Sequence, residues 1–174
     1  MPTTYTLIAS NVLGSNQSTV TFSSITSAYT DLVFLLSTRN TAPSPNVSAY
    51  VDLNINGDTS AIYSIRSLYG NGTTAGSQNT SGTSTTSILG ASNSLGSTAN
   101  TFDNLEIYIP NYTSSRAKQI SAFGVAENNG AEGYIQTTAS LINSTATISS
   151  VTLKPTGYNF VSGSSFYLYG IKNS

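Results

Sequence analysis

Apolar residues recur at every second position through most of this chain, and that period excludes more folds than any other feature. Tyr5, Leu7 and Ala9 share one parity across Thr4–Ser10, and Val20 and Phe22 share one across Ser18–Ser24. Ala49, Val51, Leu53 and Ile55 do so across Ser48–Asn56, and Leu105, Ile107 and Ile109 across Asp103–Pro110. Alternation of this kind gives a strand one apolar face. Asp31–Thr38 (DLVFLLST) is instead a continuous apolar run, as expected of a strand covered on both faces. Ala61–Tyr69, Gln119–Glu127, Gly133–Ile142, Thr147–Leu153 and Ser165–Ile171 complete the strand set, and Pro110 ends its strand because it cannot donate to a ladder. No window carries an i, i+3, i+4 stripe, so little or no helix is expected.

Short strands with polar turns and no βα alternation predict a jelly-roll-like antiparallel β-sandwich of about 8–10 strands. The 174 residues suit one domain, 1–174. Within it, residues 70–100 are so rich in Gly, Ser, Thr and Asn that they read as a long loop region. Gly70–Thr86 has almost no apolar anchor, and only Ile88 and Leu89 break the remainder.

Composition narrows the chemistry. The chain has no Cys, His or Trp. Thiolate nucleophiles, His general bases, Ser–His–Asp triads and zinc or haem sites of the usual N/S type are therefore absent. Charged residues make up 7% and the net charge is −1, with no basic block for phosphate neutralisation, so no nucleic-acid partner is expected. No stretch approaches the roughly 20 apolar residues that span a bilayer. The first thirty residues lack the charged and apolar segments of an export signal.

The remaining motifs favour structural readings. Asp52-Leu53-Asn54-Ile55-Asn56-Gly57-Asp58 matches the first half of a calcium loop, but Tyr63 occupies the position of the bidentate Glu. Asn56-Gly57 between two alternating runs favours a hairpin turn instead. A glycosidase needs two carboxylates facing one cleft. Asp31 opens a strand, Asp103 and Glu106 lie at a strand start, and Glu127 and Glu132 flank a polar turn. Ser115–Lys118 is an isolated S-x-x-K without companion motifs. Six N-x-S/T sequons, at Asn16, Asn46, Asn71, Asn79, Asn111 and Asn143, are close to the about five that this composition produces by chance. The eleven Tyr are expected to pack core and rim in preference to forming sugar platforms. Arg116 and Lys118 form the only local basic pair, a solvated loop or a contact for an acidic partner. No catalytic, cofactor or metal residue is expected, and the chain does not read as an enzyme.

The two ends, MPTTYTLIAS and NFVSGSSFYLYGIK, with Tyr29–Leu32 (YTDL) and Phe102–Tyr112 (FDNLEIYIPNY), resemble a family of small virion-associated proteins of tailed bacteriophages from marine and aquatic bacteria. The resemblance covers nearly the whole chain. It implies a virion structural protein assembled in the host cytoplasm. The role would be a capsid decoration (cement) protein on the capsid exterior, or a head- or tail-fibre module that recognises host glycans. It implies the major capsid protein or other virion proteins as partners, and by analogy a homotrimer. It supplies no catalytic residue. A hydroxyl-rich, nearly neutral surface fits this setting. In sea-like salt the Debye length falls to about 4 Å, which leaves docking to shape, apolar patches and hydrogen bonds.

Overall fold

The computed structural model describes residues 4–43, 49–83, 87–130 and 133–172. Among them are twelve strands and no helix, arranged in two antiparallel sheets. In chain order the strands are β1 (Tyr5–Val12), β2 (Val20–Phe22), β3 (Asp31–Ser37), β4 (Ala49–Ile55), β5 (Tyr63–Gly70) and β6 (Ala75–Thr83). They continue as β7 (Ser87–Ser92), β8 (Asn104–Ile109), β9 (Lys118–Ala126), β10 (Tyr134–Ile142), β11 (Val151–Pro155) and β12 (Ser165–Ile171).

The large sheet runs β1-β12-β3-β8-β9-β10-β5-β6 and the small one β2-β11-β4-β7. With β5, β6, β9 and β10 set aside, the remaining eight strands alternate between sheets as β1-β12-β3-β8 over β2-β11-β4-β7. That is the strand order of a jelly roll. The other four strands are two hairpins inserted between β4 and β7 and between β8 and β11, and they double the width of one sheet.

The alternation explains the core. Leu32, Phe34 and Leu36 of β3, Leu105, Ile107 and Ile109 of β8, and Phe166 and Leu168 of β12 point inward. They meet Val51, Leu53 and Ile55 of β4, Val151 and Leu153 of β11, and Phe22 of β2. Phe22 packs edge-on against Phe34 with ring centroids 5.7 Å apart, and Phe160 against Phe166 at 4.9 Å. Tyr63 is fully buried, and its hydroxyl accepts from the Ile55 N–H at 3.1 Å and donates to the Asp58 carbonyl at 3.1 Å. Where β7 crosses β9 the sheets touch backbone to backbone. A Cβ on Gly90 would lie 2.9 Å from Leu105 Cδ1 and 3.7 Å from Gly124 Cα. Gly90→Val is therefore expected to cost about 1–3 kcal/mol by overpacking, read as a lower urea midpoint at unchanged slope.

A second, polar joint closes one end of the sandwich. The buried Arg39 guanidinium donates to the carbonyls of Thr98 (2.9 Å), Thr101 (3.1 Å), Ser97 (3.1 Å) and Leu95 (3.5 Å). Asn40 donates to the carbonyls of Ser92 and Asn93, and its Oδ1 accepts from Ala42. The Asp103 carboxylate accepts from the Thr38 N–H at 2.8 Å and the Thr38 hydroxyl at 2.6 Å. Burial pushes its pKa up to about 7, although bonds from Thr38, Ser92 and the Asn93 N–H oppose that rise.

Three sequence expectations are corrected. Residues 70–100 are not one loop: they contain β6 and β7. β6 pairs with β5 across a turn in which Asn71 Oδ1 accepts from the N–H groups of Thr73 and Thr74 and Gly72 takes φ +90°. An edge strand with polar residues on both faces shows no apolar alternation. Asn56 (φ 51°) and Gly57 (φ 67°) do form a tight turn, closed by Asp58 N–H to Ile55 O at 2.9 Å, but no hairpin results. β4 pairs with β11 and β7, whereas β5 pairs with β10 and β6, so the chain crosses between sheets there. Asn56 holds the crossing in place, its Oδ1 accepting from the N–H groups of Ser149 and Ser150. Finally, Lys118 is not on a solvated loop. It opens β9 with its side chain buried.

Candidate functional site

The outer face of the large sheet is the most unusual surface of the molecule. The inward parity of each strand is spent on the core, so the outward parity is set by register alone. One row reads Tyr167–Leu35–Glu106–Phe123–Thr137–Leu68–Ser77 from β12 to β6. A neighbouring row begins Leu7–Tyr169–Val33–Tyr108–Ser121. Val125 lies opposite Ile135, and Ile135 opposite Gly70.

Nine large hydrophobic side chains are exposed among the described residues, and seven of them (Tyr5, Leu7, Val12, Leu35, Leu68, Phe123 and Ile135) belong to this face. Leu68 is 63% exposed, Phe123 51% and Ile135 52%. Clustered exposure of this kind marks an interaction surface, whereas scattered exposure does not. The strands place two exposed charges on the face, Glu106 and Arg66. Asp31 also points this way but is buried, its carboxylate accepting from the Tyr108 hydroxyl and the Asn111 N–H, both at 2.8 Å. Burial and the Asp31 partner raise the Tyr108 pKa. Eight strands at about 4.8 Å spacing make the face about 34 Å wide. A shallow groove of about 470 Å³ crosses it beside Leu68, Ser77, Asn79 and Thr137.

The residues singled out by sequence lie elsewhere. Arg116 is exposed beside a hollow lined by Pro110, Asn111 and Gln119. The Lys118 ammonium instead donates to the carbonyls of Ser114 (2.7 Å) and Arg116 (2.5 Å), and burial lowers its pKa. The two do not form a paired basic patch, because Lys118 is consumed in tying its own loop to β9. Its Nζ bonds go to carbonyls, not to a serine hydroxyl as a Ser–Lys base would need.

In the calcium-like segment, Asp52 Oδ2 accepts from Thr156 Oγ1 at 3.0 Å, Asn54 donates to the Asp58 carbonyl, and Asn56 Oδ1 serves the 149–150 backbone. Asp52 Oδ2 and Asn56 Oδ1 are thus engaged by different parts of the chain, Thr156 and the 149–150 backbone. No group of three His, Cys, Asp or Glu suited to a metal occurs among the described residues. Asp58 accepts from Ser60, which lowers its pKa. Glu127 accepts from the Asn129 N–H at 2.8 Å, in the turn joining β9 to β10; Glu132 and Asn46 lie outside the described residues. Tyr63 and Tyr112 are buried, while Tyr5 sits edge-on to Tyr169 on the outer face at 6.3 Å.

Sequence reasoning missed Leu68, Phe123 and Ile135. A signal was present: in Gln119–Glu127 both parities are apolar, Ile120 and Ala122 on one and Phe123 and Val125 on the other. A strand with two apolar faces inside a two-layer sandwich has one face left for something else. No protein-family model matches the chain, and no curated protein matches it either.

Proposed function

We propose that this chain is a structural protein of a tailed-phage virion, a capsid decoration protein that seats the outer face of its large sheet on the exterior of the assembled shell. The single observation that supports this reading is that face, broad, studded with exposed apolar side chains among hydroxyl groups and almost free of charge. Its size and composition suit docking by area and shape, with the major capsid protein as partner. Binding restricted to the assembled shell adds its free energy to the particle, a little per copy and over many copies. The chain acts here without chemistry of its own.

Burial of Leu68 or Phe123 contributes about 1.5–3 kcal/mol each. Phe123→Glu is therefore expected to lower shell binding by about tenfold to a hundredfold while leaving the melting curve unchanged. The check is co-sedimentation of the labelled chain with intact particles, together with its copy number per particle. Enough copies to cover the shell supports decoration, and absence from the particle overturns the reading.

A second reading, a fibre or receptor-binding module for host glycans, is favoured by the outward Tyr5, Tyr167 and Tyr169, since sugar faces stack on aromatic rings. A small fixed copy number and glycan-array binding lost in Tyr169→Ala would select it.

A further inference from the structure

We infer that β6 is a self-pairing edge, through which two copies of this chain join antiparallel about a two-fold axis at Asn79. The inference is independent of what the outer face binds.

Four strands end a sheet, and three of them are unsuited to pairing. β2 has three residues, β1 is broken by a bulge between Leu7 and Ala9, and β7 shifts register opposite Val51 and Asp52. β6 has nine residues, and its register against β5 is unbroken from Ala75 to Ser81. Natural edges are blunted with charge, proline or early bulges. β6 (AGSQNTSGT) has no charge and no proline, and its one irregularity, at Gly82 with φ +67°, comes at the end. Its backbone edge is a template for another strand.

The sequence indicates which strand. Read inward from either end, Gly76-Ser77-Gln78-Asn79 meets Gly82-Ser81-Thr80-Asn79. Antiparallel pairing about Asn79 therefore sets Asn on Asn, Ser77 on Ser81, Gln78 on Thr80 and Gly76 on Gly82. Asn79 on Asn79, Ser77 on Ser81 and Gln78 on Thr80 are all uncharged pairs whose side chains can hydrogen-bond, which is how sheet pairs stabilise each other. Over residues 75–82 both faces of β6 are solvent-exposed, with Gly76 and Gln78 half-covered, so no apolar partner would gain by lying there. The nearest charge is Arg66 on β5, opposite Asn79. Its symmetry mate would lie three strand spacings away, about 14 Å, beyond the Debye length of about 8 Å at physiological salt. The joined sheets present their outer faces side by side as one surface. The two-fold makes this a dimer contact, and not the trimer that the family resemblance implies.

The test uses the full chain. Sedimentation equilibrium from about 1 to 100 µM is expected to approach twice the 18.1 kDa chain mass. Asn79→Lys, which sets two ammonium groups against each other at the axis, is expected to raise the dissociation constant at least tenfold with circular dichroism unchanged. The chain has no cysteine, so Asn79→Cys adds one thiol per copy. Directly paired Cα atoms lie about 4.5–5.5 Å apart, within disulfide range, and mild oxidation should give a crosslinked dimer. Ser77→Cys should not crosslink, because residue 77 would lie about 13 Å from its own mate. A chain mass of 18.1 kDa throughout, a dimer indifferent to Asn79→Lys, or crosslinking of Ser77→Cys as fast as Asn79→Cys would overturn the proposal. Should Asn79→Lys fail to fold, the cysteine pair decides.

Discussion

Replacing Arg39 with alanine is expected to cost about 3 kcal/mol of stability, one of the two largest single effects in the molecule. The side chain is buried and its fork reaches four backbone carbonyls between Leu95 and Thr101. Burial without a carboxylate on the fork disfavours its charge and lowers its pKa. What offsets that burial is a set of charge-assisted bonds, each worth about 1.5–3 kcal/mol against bare carbonyls. Truncation removes all of them at once and leaves the carbonyls of Leu95, Ser97, Thr98 and Thr101 without the guanidinium donor. For a chain of this length, about 3 kcal/mol corresponds to a fall in melting temperature of about 6–12 °C. Arg39→Lys should recover less than half of it, because one ammonium cannot reproduce a planar fork aimed at several oxygens. Urea unfolding of the wild type and both variants checks this. A variant Arg39→Ala within about 0.5 kcal/mol of wild type would mean that the carbonyls are satisfied by water instead.

Asp103 should make the fold less stable as pH rises. Its carboxyl is completely buried and its pKa is pushed up to about 7, against 3.8 for the free side chain. Between those values the folded chain holds a proton that the unfolded chain has released. The derivative of unfolding free energy with pH is then negative. Stability is full below about pH 4, declines through the interval and levels off above about pH 7. A shift of about three units corresponds to about 4 kcal/mol across that window. Asp103→Asn carries no titrating proton, so the difference between the two proteins isolates the effect. The wild type should lose urea midpoint steadily from pH 4.5 to 7.5, whereas Asp103→Asn should stay nearly flat. Parallel curves would show that Asp103 titrates normally. The hydroxyls of Thr38 and Ser92 can each rotate to donate or accept, which lets the site serve either form of the carboxyl.

The strands that build the core were legible because burial on one face leaves a written record. Leu105, Ile107 and Ile109 alternate with Glu106 and Tyr108, and the end of β8 at Pro110 follows from ring chemistry. Ser, Gly and Asn in β6 leave no such record: its backbone is ordered by pairing with β5 alone, so its side chains carry no periodic constraint. Asn56-Gly57 specified the local turn correctly, yet the turn type does not say whether the flanking strands pair. Here the Ser149–Ser150 backbone captured Asn56 and sent the chain across to the other sheet. Lys118 misled for a related reason. Charge is read as exposure, but a long side chain can fold back to carbonyls two and four residues before it. The outer face was half legible. Its apolar residues stand in the sequence, but that Phe123, Leu68 and Leu35 line up across five strands depends on register, which no local pattern encodes.

The placement of β1 beside β12 sets the tempo of biogenesis. Tyr5 lies opposite Ile171 and Val12 opposite Ser165, so β1 waits for its ladder neighbour until about 150 further residues have been synthesised. At about 5–20 residues per second that wait lasts about 8–30 s. Throughout it the backbone of β1 bonds to water and Ile8 and Ala9 stay uncovered, so β1 joins the sheet only after β12 has emerged.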